Sequence, residues 1–124
     1  MTTCIVVDDD INTTQVLSEL LEFMGLDVVA KGYGGKEAVM LYKKYRPDIS
    51  FIDILMPVND GFYAIRNIRE FDPRAKIIVV TSDNSKDTQQ KLDEMKITEL
   101  IYKPYQHTQI VQMLEKHQMH VHKS

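Results

Sequence analysis

Ile49-Ser50-Phe51-Ile52-Asp53-Ile54-Leu55-Met56-Pro57 carries a short uncharged run that ends abruptly in a carboxylate. The run does not alternate apolar with polar residues. It therefore reads as a strand covered on both faces, the kind found in parallel sheets. Residues 4–7, 27–30, 77–80 and 100–102 form four more such segments. Between them the apolar spacing changes to that of a helix. Val16, Leu17, Leu20, Leu21 and Met24 form the first stripe, with Asp10 or Asn12 to cap it and Gly25 to end it. The second helix, over 36–45, offers Ala38, Val39, Leu41 and Tyr42 to a core and stops at Pro47. The third, over 62–70, offers Phe62, Ile65 and Ile68, and the fifth, over 107–119, offers Ile110, Met113 and Leu114. The fourth, over 85–96, has only Leu92 and Met95, which predicts the least anchored helix of the set. Five strands alternating strictly with five helices predict a doubly wound α/β fold, (βα)5, on a parallel sheet with right-handed crossovers.

The 124 residues suit one domain filling 1–124, with 119–124 a frayed tail. Fifteen Lys and Arg against eighteen Asp and Glu leave a net charge of −3, which gives no electrostatic reason to bind nucleic acid. The single cysteine, Cys4, excludes an internal disulfide framework and reads as an inert core thiol in a reducing compartment. No apolar run approaches the ~20 residues that span a bilayer, and Asp8 interrupts the first one too early for a signal peptide. A cytoplasmic, membrane-free protein is the expectation. His117, His120 and His122 have loose metal-ligand spacing, but a polar chain end explains them more simply.

In open α/β sheets, ligands bind beyond the carboxyl ends of the strands. Strand one ends in Asp8-Asp9-Asp10, strand three in Asp53, strand four in Thr81-Ser82-Asp83 and strand five in Lys103-Pro104. Strand two ends in Lys31-Gly32 and offers nothing comparable. The order 2-1-3-4-5 would bring the other four ends together. Each residue alone has an ordinary explanation: an Asp before a helix is a cap, a Thr after a strand a turn residue, a Lys before Pro a solvated charge. Four such explanations at once are far less economical than one site. Two carboxylates ~4 Å apart repel by about 4 kcal/mol at an effective dielectric near 20, so Asp8, Asp9 and Asp53 need counter-charge. Lys103 supplies one positive charge, and Mg²⁺, which prefers hard oxygen ligands and keeps open positions, supplies the rest. A carboxylate so held is equipped to attack phosphorus, with Lys103 stabilising the equatorial oxygens and Thr81 hydrogen-bonding the product phosphoryl group.

Val6-Val7-Asp8-Asp9, Asp53-Ile54-Leu55-Met56-Pro57 with Asp60-Gly61, Thr81 and Lys103-Pro104 resemble, over the whole chain, the receiver domain of two-component response regulators. The likeness is to the stand-alone, chemotaxis-regulator type, with a flavodoxin-like fold. The resemblance implies that Asp53 is the phosphoacceptor, attacking the phosphohistidine of a histidine kinase or histidine phosphotransfer protein. It also implies that Asp9 ligates Mg²⁺ directly, that Asp8 acts largely through water, and that the Leu55 carbonyl completes the set with Asp53. Lys103 would bridge to Asp53 and precede a cis Lys103–Pro104 bond. Thr81 would move toward the phosphoryl group, carrying the fourth helix with it. Output would pass to an unidentified protein target, or to a homodimer formed through the fourth helix, fifth strand and fifth helix, since no DNA-binding domain follows.

The chain also departs from that pattern. Leu100 stands where the switch usually has Tyr or Phe, and Tyr102 has the opposite strand parity. Lys96-Ile97 stands where the family often has Gly-Ala, which would strain a left-handed turn. Leu55 and Asp83 occupy positions that tune dephosphorylation. Two rival readings are a phosphorylation-independent pseudo-receiver and an Asp-nucleophile phosphohydrolase of the haloacid-dehalogenase type. The latter would need a second Asp where Leu55 stands. A receiver would be no enzyme beyond self-catalysed phosphotransfer and autodephosphorylation.

Overall fold

The structure is a computed structural model that describes residues 1–57 and 60–117. Strands and helices alternate as β1 (Thr3–Val7), α1 (Ile11–Phe23), β2 (Asp27–Gly32), α2 (Gly35–Tyr45), β3 (Ile49–Ile52), α3 (Gly61–Phe71), β4 (Ile77–Thr81), α4 (Lys86–Met95), β5 (Glu99–Tyr102) and α5 (His107–Lys116). The five strands form one parallel sheet in the order β2-β1-β3-β4-β5, the doubly wound, flavodoxin-like arrangement expected from the sequence.

The continuous apolar runs have a simple cause. Successive residues of β1, β3 and β4 feed opposite faces of the sheet, and both faces are covered. Cys4, Val6, Phe51, Ile78 and Val80 meet Leu17, Leu21 and Met24 of α1 and Ile110, Met113 and Leu114 of α5. Ile5, Val7, Ile52, Ile77 and Val79 meet Ala38 and Tyr42 of α2, Ala64, Ile65 and Ile68 of α3, and Leu92 of α4. Each such aliphatic side chain contributes about 1.5–3 kcal/mol by leaving water. The Cys4 thiol is free and buried, and burial, with Asp27, Glu22 and Asp48 nearby, pushes its pKa up to about 12.

Several details differ from the sequence reading. Val16 is 63% exposed, because the inward stripe of α1 is Thr14, Leu17, Ser18, Leu21 and Met24, with Leu20 at its margin. The buried face of α1 runs from Leu17 toward Ser18 and Leu21, and Val16, ~100° from Leu17 on the other side, turns outward. Asp10 is the cap, accepting from Thr13 N–H at 3.1 Å. Gly25 follows with φ 95°, a left-handed turn that suits glycine. The second helix starts at Gly35 and ends in Arg46, which is left-handed at φ 44°, with its guanidinium 4.6 Å from the Phe71 ring centre. Phe62, Val39, Leu41 and Met95 are half-buried rather than core residues. As expected, α4 buries little: Thr88 and Leu92.

Lys96 is left-handed at φ 54°, as the departure at Lys96-Ile97 suggested. The turn is held from outside. Arg69 donates to the carbonyls of Lys96 at 2.7 Å and Pro73 at 3.2 Å, and also to that of Ala75. The fifth helix ends at Lys116, short of the expected Met119. The 119–124 tail, with His120 and His122, lies outside the described residues. His117 is described, with Nε2 2.7 Å from Glu99 of β5. Among the described residues no helix is long and apolar enough to cross a membrane.

Candidate functional site

The sheet ladder runs one residue past β1, β3 and β5, and those extra residues are Asp8, Asp53 and Lys103. Asp8 N–H donates to Gly32 O at 3.1 Å, Asp53 N–H to Val7 O at 3.0 Å and Lys103 N–H to Thr81 O at 2.8 Å. Their backbones are fixed by the fold, so their side chains start from set positions. Asp8 and Asp53 are 5% and 7% exposed, and Thr81 is fully buried. Lys103 Nζ lies 2.7 Å from Asp8 Oδ2 and 3.1 Å from Asp53 Oδ2. The second oxygen of each carboxylate takes a backbone donor: Asp10 N–H at 2.9 Å for Asp8, Leu55 N–H at 3.0 Å for Asp53. The Lys103–Pro104 peptide is cis.

The Asp60-Gly61 pair has a structural reason to be there. Asp60 caps α3, accepting from Tyr63 N–H at 3.0 Å. A Cβ on residue 61 would fall onto Ile54 Cα and come within 2.5 Å of the Asp53 carbonyl oxygen. Only glycine lets α3 start this close to the Asp53 loop.

Two carboxylates share one ammonium. Burial lowers the tendency of Lys103 to carry charge, but hydrogen bonds and charge from Asp8 and Asp53 outweigh it and raise its pKa above the ordinary lysine range. Burial pushes the Asp53 carboxyl above its usual range. Leu55 N–H and Lys103 pull the other way, and Asp8 adds to the rise. A surplus negative charge on hard oxygen donors is the chemistry a divalent cation such as Mg²⁺ fits. Of the expected ligand set, the structure brings Asp8 and Asp53 together. Asp9 stands exposed, and among the described residues no three carboxylate, imidazole or thiol groups are already gathered about one point.

Thr81 Oγ1 accepts from Asp83 N–H at 3.2 Å. The Asp83 carboxylate is itself engaged, accepting from Ser85 N–H at 3.0 Å and Thr88 Oγ1 at 2.6 Å. Leu100 is half-buried and packs on the α2–α4 side of the sheet. Tyr102 takes its own partner, its hydroxyl accepting from Gln89 Nε2 at 2.8 Å. Sequence reasoning missed this bond, along with the Arg69 brace and Tyr105, which is half-buried near Lys103 and Asp8 with its hydroxyl pKa raised, mainly by burial. No local spacing signals any of them.

The recess at Asp8, Asp53, Lys103 and Tyr105 has about 10 Å³ of room, roughly enough for one water. A far roomier cleft, about 580 Å³, lies at the opposite end of the sheet, between Tyr42, Arg46, Asp72 and Lys76. The recess beside Asp8 and Asp53 is therefore too small to enclose a substrate.

Residues 4–115 match the response regulator receiver domain. The chain belongs to that family. The receiver is 34% identical over 116 residues to protein CcdB of Bacillus subtilis, covering 94% of this chain and 97% of that protein. It is 33% identical over 112 residues to chemotaxis protein CheY of Thermotoga maritima, covering 90% and 93%. Among solved structures, the CheX-CheY-BeF3-Mg+2 complex from Borrelia burgdorferi matches with a TM-score of 0.87 at 26% identity, over 93% of this chain and 87% of that one. Receivers of this kind are signalling domains rather than classical enzymes, which displaces the phosphohydrolase alternative. Accepting a phosphoryl group and binding Mg²⁺ are general features of the family.

Proposed function

We propose that Asp53 of this receiver accepts a phosphoryl group from the phosphohistidine of a histidine kinase or histidine phosphotransfer protein. The observation that carries the reading is the single ammonium of Lys103 shared between the buried carboxylates of Asp8 and Asp53. A carboxylate oxygen of Asp53 forms the new P–O bond as the P–N bond to the donor imidazole breaks, and the imidazole leaves with the electron pair. Lys103, held protonated, stabilises charge on the transferring group. The Thr81 hydroxyl hydrogen-bonds the product phosphoryl oxygens. Asp8, Asp9, Asp53 and the Leu55 carbonyl would hold Mg²⁺, which when bound neutralises charge on the phosphoryl oxygens.

A recess too small to hold a free substrate suits a donor carried on another protein. The exposed apolar side chains of Ile11 and Leu55 stand at the start of α1 and beside Asp53, where such a donor would arrive. Output is a change in protein–protein contact through α4, β5 and α5, either with a target protein or with a second copy; Leu100 and Tyr102 of β5 and Met113 and Lys116 of α5 line a surface cleft there. This signalling takes place in the cytoplasm.

The test is incubation with Mg²⁺ and acetyl phosphate, followed by intact mass. Wild type gains one phosphoryl group and Asp53→Ala gains none. Labelling of Asp53→Ala as robust as that of wild type would sink the assignment, and no Asp53-dependent response at all would leave the pseudo-receiver reading.

A further inference from the structure

We infer that Asp83 is a positioning residue that ties the Thr81 hydroxyl to the first turn of α4, and that Tyr102–Gln89 is a second tether doing the work Leu100 cannot. The trigger, though not the latch itself, rests on the phosphoacceptor reading of Asp53.

The chain of bonds is continuous. Thr81 Oγ1 accepts from Asp83 N–H, and the same residue's carboxylate holds α4 twice, through Ser85 N–H and the buried Thr88 hydroxyl. Ser85 Oγ also caps the helix, accepting from Thr88 N–H at 3.3 Å. These hydrogen bonds hold the Asp83 carboxyl below the usual range, the one from Thr88 first. On the outer side, Gln89 of α4 donates to Tyr102, the residue before Lys103. The first turn of α4 is therefore bonded to the ends of both β4 and β5, next to Thr81 and Lys103.

Apolar packing adds little, since α4 buries only Thr88 and Leu92. A helix whose first turn is held chiefly by polar bonds is freed at that end when those bonds are broken. A phosphoryl group on Asp53 brings new acceptor oxygens toward which Thr81 can turn to donate its hydroxyl proton. As Thr81 turns to donate to them, its acceptor lone pair leaves Asp83 N–H, and Asp83 either follows or lets go. In both cases the carboxylate's hold on Ser85 and Thr88 loosens. Leu100 has no polar atom with which to report this movement, whereas the Tyr102 hydroxyl contacts α4 directly. Because its carboxylate is committed to α4, Asp83 acts on helix position and not on water at the phosphoryl group.

Amide hydrogen exchange across α4 of the full chain tests this, with and without Mg²⁺ and acetyl phosphate, alongside intact mass. Without donor, Thr88→Val exchanges about tenfold faster than wild type in α4, the scale of one lost hydrogen bond to a charged acceptor. Thr88→Ser, which keeps the hydroxyl, stays near wild type. Gln89→Leu, at an exposed position that cannot disturb the core, shifts α4 in the same direction as Thr88→Val. Wild type labelled on Asp53 reaches the rate of unlabelled Thr88→Val. The latch is overturned if Thr88→Val matches wild type, or if Thr88→Ser is as fast as Thr88→Val. The trigger is overturned if labelled wild type keeps its resting rate. A chain that gains no phosphoryl group instead overturns the phosphoacceptor reading, and the donor-free variants still judge the latch.

Discussion

Lys103 sits closer to Asp8, at 2.7 Å, than to Asp53, at 3.1 Å. In the resting receiver the ammonium is bound more closely to Asp8 than to Asp53, the proposed phosphoacceptor. This spacing makes Asp8 the anchor of Lys103 and leaves Asp53 the less neutralised of the two.

Removing the Asp53 charge should therefore stabilise the fold. The Asp53 carboxyl binds its proton more tightly in the folded than in the unfolded chain, chiefly through burial. The resulting stability is present below the unfolded carboxyl range, near pH 4, and is lost as pH rises through the higher folded value. Thermal melts in a chelator should show Asp53→Asn melting above wild type at neutral pH, with the gap closing below about pH 4. Addition of Mg²⁺ should raise the melting temperature of wild type more than that of Asp53→Asn.

Lys103→Met has the opposite sign. It leaves two buried carboxylates without a counter-ion, and removing one partner of such a group costs about 3 kcal/mol. Urea unfolding at neutral pH checks the size, and the loss should shrink in an Asp8→Asn background because one of the stranded charges is already gone. Equal losses in both backgrounds would mean that Lys103 acts without Asp8.

Gly61→Ala tests the close approach of α3 to the phosphoacceptor loop. The added methyl meets Ile54 and the Asp53 carbonyl, backbone atoms with no rotamer to yield. We expect a loss of about 1–3 kcal/mol, as for overpacking, with slower labelling of Asp53. Labelling at the wild-type rate would show that the loop tolerates the shift.

Acid should loosen the end of α5 from the sheet. Hydrogen bonds from His117 and then Lys116 hold the Glu99 carboxyl below its ordinary range, against some opposing burial. A lowered folded value means the contribution is present above the unfolded Glu range and lost as pH falls through the folded one. Glu99→Gln should flatten the pH dependence of stability in that acid window. An unchanged acid profile would show that this ion pair contributes nothing.

The fold was legible because its signals are periodic. Ile49–Ile52 and Ile77–Thr81 had to be two-faced strands, and the four strand ends carried Asp8, Asp53, Thr81 and Lys103 to one edge. What escaped depends on contacts between distant residues. Val16 looked like a stripe residue until Thr14 and Ser18 proved to be the inward neighbours of Leu17. Tyr102 was set aside on parity, which reports the face of a strand but not a hydroxyl reaching across to Gln89. The Lys96 turn looked strained because nothing in its neighbourhood announces a guanidinium from residue 69.

That guanidinium has a mechanical consequence. Arg69 pins the carbonyl just beyond the last turn of α4 to α3 and to the approach to β4. With one end pinned and the other held by side chains, the helix is a lever with its fulcrum at Lys96. Ten residues at 1.5 Å each give an arm of about 15 Å, so a swing of about 10° would carry the first turn roughly 2–3 Å. A hydroxyl shift at Thr81 would thus move the first turn of α4 while the fulcrum at Lys96 stays at rest.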